Sequence, residues 1–460
     1  MIRGRFWAWA SLLLIAACQD QTPSDNSSLS ARALPGGHAT HINLNPLGDR
    51  SADAFSQPAA NLPLADRGRF ALGNSFFTSP WVSAPASTRA RDGLGPLFDA
   101  AACQDCHVRD GRGHAPPGPD QALTAAVIRL AGPQGTPDPT YGAQLQTHAV
   151  AGLAPEARVR VLWQTHTVTL PDGVEVELRS PRLELSNLSD GALASETRAG
   201  LRIAPPMIGL GLLEAIAADD LRAKSGDDAI AGRLREVADL ASGSRSLGRF
   251  GWKAAQPSVR QQSLAALVED MGITSTLFPQ DNCSPAQHSC RALPHGGAPE
   301  LEPAIEDGLV FYTRHLAVPA RRDAERPEVR EGEALFAQIG CTGCHRPQWK
   351  TASVADAPAL SNQHIWPYTD LRLHDMGPGL DDGVAEAGVP SRFWRTPPLW
   401  GLGHTATVGG PHAGYLHDGR ARTVTEAILW HGGEAQAARD AWAALPDTQR
   451  RRVLRFLGSN

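Results

Sequence analysis

LGPLFDAAACQDCHVRDGRG, residues 94–113, contains Cys103-x-x-Cys106-His107, and the rest of the chain can be read outward from it. Two thiols on one short turn followed directly by an imidazole is the spacing of c-type haem attachment. The thiols form thioethers with the haem vinyl groups, and the imidazole reaches the iron as proximal ligand. A second copy, Cys341-Thr342-Gly343-Cys344-His345, follows Gly332-Glu333-Ala334-Leu335-Phe336, which opens like a small cytochrome c domain. Two covalently bound c-type haems are therefore expected, with Cys103, Cys106, Cys341 and Cys344 as attachment points and His107 and His345 as iron ligands. The competing readings of one copy are a zinc half-site or a redox dithiol. Two copies, without Cys or His spacing for a four-ligand zinc site, weigh against both.

The chain has 460 residues, enough for two or three domains with their own cores. Hydrophobic residues make up 42% and charged ones 20%, the balance of a soluble globular protein, and the net charge of −5 gives no sign of a nucleic-acid partner. Residues 1–18 read as a targeting segment: Arg3 and Arg5, an apolar run from Phe6 to Ala16, then Ala17-Cys18. The run is too short to span a bilayer. It resembles a bacterial lipoprotein signal, which would make Cys18 a lipid anchor and place the protein in the periplasm, held to the outer membrane because Gln19 rather than Asp follows. The alternative is an ordinary cleaved signal peptide. Seven cysteines then divide into four for haem, one for lipid, and Cys283 with Cys290. In an oxidising compartment, a pair seven apart in a Ser/Pro/Gln loop fits a structural disulfide better than a metal or catalytic pair.

The expected architecture is mainly α: a flexible tether over 19–53, a first haem domain over 54–329, and a cytochrome c-like second haem domain over 330–460. The first domain carries an insertion with a β-hairpin, because Arg158–Leu170 and Val174–Ser180 alternate around Pro171-Asp172-Gly173. A helix near Arg67–Val82 brings Phe70, Phe76, Phe77 and Trp81 to the first haem. Residues 190–250 read as mostly helical, with Leu210, Leu212, Leu213 and Ile216 at helical spacing, and further helices are expected over Ser258–Met271 and Pro303–Leu316. Met207 and Met271 are expected to pack in the core.

Beyond the two haem turns, the sequence carries AFSQPAANL, DGLGPLF, RIAPPMIGLGLLEAI, GRFGWKA, YTDLRLHDMG, RTPPLWGLG and LHDGRARTVTEAILWHGGEA. Together these resemble the di-haem oxidoreductase family of peroxidase-type proteins, sometimes labelled thiol oxidoreductases, and more distantly the bacterial di-haem cytochrome c peroxidases. The resemblance implies that a haem on His107 meets hydrogen peroxide or a similar small oxidant. It also implies that a haem on His345 relays electrons from a small periplasmic donor. The distant peroxidases place an axial Met fourteen positions past the His of an HDG turn; here that count from His417 reaches His431. His431 is accordingly the favoured sixth ligand of the second haem, and Met376, thirty-one residues past His345, is the alternative. The resemblance further implies Gln146 and Glu156, ten apart, as the distal catalytic pair, with His148 and His114 as alternative caps on the iron. Arg112, Arg395 and Arg420 become propionate partners, and His374 and Asp375 lie near the haem interface. A calcium ion between the domains belongs to the same implication, with no residues assigned.

Two other readings compete with peroxide reduction. Paired haems also oxidise a protein partner at long range in one relative, and a plain electron carrier would have both irons six-coordinate. A thiol-based reaction has little support, because no cysteine pair remains for it.

Overall fold

The computed structural model describes residues 30–42, 52–223 and 232–460. The expected targeting segment, Cys18 and most of the tether lie outside them. The fold is mixed α/β, with 32% helix and 19% strand, which corrects the mainly α expectation. The difference arises in residues 120–250. There Ala126–Ala131 pairs antiparallel with both Arg198–Ile203 and Gln144–Leu145 in a three-stranded sheet, and Glu236–Asp239 pairs with Ser244–Leu247. Among its described residues, the region read as mostly helical keeps only the short helices Leu210–Glu214 and Ala218–Arg222. Strands of four to six residues are too short for periodicity to separate them from a helical turn.

The longer helices form where the sequence signals them. Ser258 caps Val259–Met271 by accepting from Gln261 N at 3.1 Å, and Gly272 ends it in the left-handed region (φ 66°). Pro303 starts Pro303–His315, where its missing N–H costs nothing. That helix packs on Leu64–Thr78 so closely that a Cβ on Gly73 would lie 2.2 Å from the Gly308 carbonyl oxygen. Phe70 and Phe77 sit against Tyr312 at this contact. In the last third, Pro327–Gln338 packs on Asp447–Leu457.

One apolar core runs from Phe55, Phe77 and Leu212 through Tyr312 to Trp349, Leu360 and Trp400, so packing is continuous across position 330. The predicted hairpin is present as Arg158–Thr169 paired with Glu175–Ser186. Leu170 and Leu178 join the core formed by Phe336, Trp442 and Phe456, so the hairpin is an arm laid on the carboxy-terminal segment. Ion pairs fix it there: Arg450 with Asp172, and Arg422 with Glu177 at 3.2 Å. Cys283 and Cys290 are disulfide-bonded, with Cα atoms 5.8 Å apart.

Candidate functional site

Each Cys-x-x-Cys-His turn is held in the same way. Cys103–Cys106 is one helical turn tied back to the chain before it by Asp105 Oδ2, which accepts from Ala101 N and Ala102 N. His107 N then donates to Cys103 O at 2.9 Å. At the second copy, Gly340 (φ 89°) lets the chain turn into Cys341–Gly343, and His345 N donates to Cys341 O at 3.0 Å. His107 Nδ1 lies 2.9 Å from Pro205 O, and His345 Nδ1 lies 2.9 Å from Tyr368 O. A carbonyl only accepts, so Nδ1 carries the proton and the Nε2 lone pair is left for a metal. Burial pulls both imidazoles down to about 4, which keeps them neutral.

Each turn opens onto its own cavity. The amino-terminal one, about 1820 Å³ including its mouth, takes in Cys103, Cys106 and His107; the carboxy-terminal one, about 1340 Å³, takes in Cys341, Cys344 and His345. The four thiols are unpaired, and burial pushes Cys103 and Cys341 up to about 12. A thiol so hard to ionise is a poor redox nucleophile. Among the described residues, no group of three or more His, Cys, Asp and Glu is placed to hold a metal ion.

The carboxy-terminal cavity is walled mainly by apolar groups, among them Phe336, Leu380, Leu399, Leu402 and Trp442. His431 and Met376 both line it, so the structure brings both candidate sixth ligands to the same cavity as His345. His431 Nδ1 lies 2.7 Å from Ala427 O, the arrangement seen at His107 and His345, and burial lowers its affinity for a proton. His417, 3% exposed, lines the cavity with Nε2 lacking a hydrogen-bond partner and its ring stacked 3.8 Å from Trp394. His374 bridges Asp370 Oδ2 at 2.9 Å and Glu434 Oε2 at 2.8 Å beside Cys344.

The amino-terminal cavity has a different wall. Besides Phe77, Phe250 and Leu309 it presents Arg129, Gln144, Glu269 and Asp270, and both Met207 and Met271 reach it. Asp110 holds its turn in place by accepting from Ser56 Oγ at 2.6 Å and Tyr312 Oη at 2.8 Å. Gln146 and Glu156 are brought together: Glu156 accepts from Gln146 N and Gln287 Nε2, and Gln146 Nε2 donates to Glu269 O at 2.8 Å. Neither lines the cavity, and His148 and His114 do not line it either.

Arg112, Trp252, Arg395 and Pro397 line both cavities and form the wall between them. Arg112 is only 7% exposed, yet its guanidinium has no carboxylate partner among the described residues, and burial lowers its affinity for its proton. A buried cation without a counter-ion is costly unless an anion arrives to pair with it. Arg395 donates to Gly251 O at 2.9 Å and Thr396 O at 3.2 Å. Arg420 instead pairs with Asp418 at 2.7 Å outside both linings. Sequence reasoning missed Trp252, Gln144 and Asp270; GRFGWKA was quoted as a family mark, but nothing in its spacing says that the indole stands between two sites.

Two histidine-bearing turns, each presenting two free thiols to its own cavity, and an arginine shared by the two cavities define a protein of the two-haem class. The profile of the family described as "Di-haem oxidoreductase, putative peroxidase" matches residues 34–127 and 141–460. The chain belongs to this di-haem oxidoreductase family. No curated protein matches it by sequence. A solved chain of Kuenenia stuttgartiensis hydrazine synthase, pressurised with 20 bar xenon, aligns over 88% of this chain and 94% of its own at 14% identity. Its TM-score is 0.31, and a likeness of that size carries no argument here.

Proposed function

We propose that this di-haem oxidoreductase carries both haems as covalent c-type groups, is exported to the periplasm with Cys18 as a lipid anchor, and reduces hydrogen peroxide in the amino-terminal cavity. A small periplasmic donor supplies electrons through the carboxy-terminal cavity. Bound on His107 and His345, the two haems supply one-electron redox chemistry; everything else falls to the side chains. Hydrogen peroxide, two electrons and two protons give two waters, so the oxidant's site needs room and polar groups that move protons. Arg129, Gln144, Glu269 and Asp270 supply such groups in one cavity. The other presents His431 or Met376 to fill the last coordination position, and we favour His431 because its Nε2 is left free. Histidine in place of Met lowers the potential of that haem.

The observation that carries this reading is the contrast between the two cavities across a shared wall. Trp252 lies in that wall, its ring 6.5 Å from Trp394 and from His417, so aromatic groups bridge the two sites. Arg112 and Arg395 would supply the forked donors for haem propionates at this wall. Gln146 and Glu156 brace the polar wall through Glu269 O rather than touching the oxidant. The carbonyls of Pro390, Ser391 and Phe393 converge as cation ligands would, but they accept from Lys253 Nζ at 3.3, 2.6 and 3.0 Å, so that cluster is not open to the calcium ion the resemblance implies. Met207 and Met271 at the first cavity favour the electron-carrier reading, since either thioether would close that iron.

Low-temperature EPR of the holoprotein, before and after half-reduction, separates the readings. A high-spin ferric signal that peroxide abolishes, with steady peroxide consumption, supports the enzyme. Ferric signals that are all low-spin and indifferent to peroxide, before and after half-reduction, leave a carrier. Consumption of oxidant only when a protein partner is oxidised points to the third reading.

A further inference from the structure

GRFGWKA places Lys253 directly after Trp252 of the shared wall, and its ammonium has no part in the redox chemistry of the reading above. The side chain is fully buried and reaches from the amino-terminal part of the chain into the carboxy-terminal part. There Nζ donates to the carbonyls of Pro390 at 3.3 Å, Ser391 at 2.6 Å and Phe393 at 3.0 Å. An ammonium has three N–H groups, one for each acceptor; a neutral amine has two and would turn its lone pair on the third. Burial, and then Arg202, pull the ammonium down to about 7, against Asp382, Glu386 and Asp381, which act to keep it charged. The backbone joins the same segments: Arg395 N donates to Trp252 O at 2.9 Å, and Arg235 Nη1 donates to Lys253 O at 2.8 Å.

The calcium ion expected between the two parts does not fit this cluster. Calcium takes about six to eight oxygens, carboxylates among them, at about 2.3–2.6 Å. The three carbonyls already have a donor. Asp382 pairs with Arg202 at 2.8 Å, and Glu386 pairs with Arg202 and lies 3.8 Å from Arg235. Among the described residues, no group of three or more His, Cys, Asp and Glu offers a metal ion another place.

We propose that Lys253 is a built-in cation that stands in for a metal ion between the two parts, and that it positions Trp394, with His417 stacked on it, at the carboxy-terminal cavity. Nζ lies 3.7 Å from the centre of the Trp394 ring, and the His417 ring stacks on the same indole at 3.8 Å and 10°. Two groups this close cannot share one face, so the indole is held between them. Its Nε1 donates to Leu380 O at 2.8 Å, which stops the ring from turning in its own plane. Trp394 and His417 both line the carboxy-terminal cavity, and His417 Nε2, buried without a hydrogen-bond partner, is left for the group that fills it. A cation on a lysine stem cannot be removed by a chelator, so this link does not depend on a metal supply. The fixed charge also acts on the haem bound there, because a positive charge in a weakly screening interior favours the reduced, more negative form. None of this depends on which reaction the cavities run.

The test uses holoprotein carrying both haems and reads no turnover. Metal content is measured on wild-type protein as purified, and the midpoint potential of the carboxy-terminal haem is titrated with EGTA or with calcium chloride present. Expected are no bound calcium and the same midpoint in both. Lys253→Met should give a lower midpoint, and Lys253→Arg, which keeps the charge, should stay with the wild type. Bound calcium whose removal shifts the wild-type midpoint overturns the proposal, and that arm needs no variant to fold. Equal falls in Lys253→Met and Lys253→Arg would make the residue a packing element alone, and an unchanged midpoint in Lys253→Met would show that its charge does not reach the cavity. Either result also overturns the proposal.

Discussion

Around Cys103-x-x-Cys106-His107 the fold gathers Arg129, Gln144, Glu269 and Asp270; around Cys341-x-x-Cys344-His345 it gathers Phe336, Leu399, Trp442 and a second inward-facing histidine. Both cavities start from the same five-residue motif, so the motif does not decide what each haem does. The difference comes from what packs opposite it. In the first cavity that is the three-stranded sheet and the carboxyl end of Val259–Met271; in the second it is the short helix Val424–Leu429, pinned by the hairpin arm. A site meant to exchange protons needs polar groups and water, whereas a site meant only to pass electrons works best sealed, with both axial positions filled.

The bluntest way to break the comparison is to remove one partner of it. Cys103→Ala with Cys106→Ala leaves one covalent haem, and Cys341→Ala with Cys344→Ala leaves the other. Intact mass and haem content of the purified protein should each fall from two haems to one. Retention of two covalent haems in either double variant would show that attachment does not follow the motif.

A smaller effect separates the ligands of the apolar cavity. His431→Ala should convert the carboxy-terminal haem from low to high spin while the amino-terminal signal stays as it was. Met376→Leu should change neither. The reverse pattern would give the position to Met376. On the other side, Met207→Leu and Met271→Leu should leave the spin state of the first haem untouched; a shift from low to high spin in either would mean that the polar cavity is closed at rest.

How much of this was legible beforehand follows from distance along the chain. The haem turns are local, as are the hairpin at Pro171-Asp172-Gly173 and the helix capped by Ser258, and local signals are what a sequence displays. Cys283 with Cys290 was readable for the same reason, being seven residues apart. The strand Ala126–Ala131 was not, because six residues of AVIRLA suit a helix equally well and its partner lies about 70 residues on. Gln146 with Glu156 shows the other limit: the resemblance implies them as the distal catalytic pair, and the two do touch each other, but spacing cannot say which side of a wall they occupy. The pair Gln144 and Asp270 does face the cavity, and nothing in their positions, 126 apart, announces it.

Arg112 sharpens the comparison at the shared wall. With propionates bound, its guanidinium would make charge-assisted hydrogen bonds, each worth about 1.5–3 kcal/mol; without them it is a buried charge over the Tyr415 ring, 5.9 Å away, with no carboxylate partner among the described residues. Arg112→Gln should therefore destabilise the holoprotein by about 2 kcal/mol and leave the apoprotein unchanged or slightly more stable. Arg420→Gln, which strands Asp418, should destabilise both forms. Urea unfolding of the four samples checks this, and equal losses in apo and holo Arg112→Gln would mean that the residue has a protein partner instead.

The smallest effect lies behind the polar wall, in the pH dependence of stability. Glu156 is pushed by burial up to about 8, although Gln146 N and Gln287 Nε2 both donate to it. A carboxyl whose folded value lies above its unfolded one binds more protons in the native state. Stability from this group is thus full below about pH 4 and is lost as pH rises toward 8. The loss over that window is on the order of a few kcal/mol, shared with Asp99, which burial raises in the same direction. Glu156→Gln cannot titrate, and its amide turns one of the two acceptors into a donor. The variant should be less stable than wild type at pH 5, and the two should converge and cross near pH 8. Because Glu156 reaches the cavity only through Gln146 and Glu269 O, the crossing should come with an unchanged spin state of the amino-terminal haem. A spin change in Glu156→Gln would instead bring the carboxyl into contact with the iron's open side, and the division of labour between cavity wall and supporting wall would have to be redrawn.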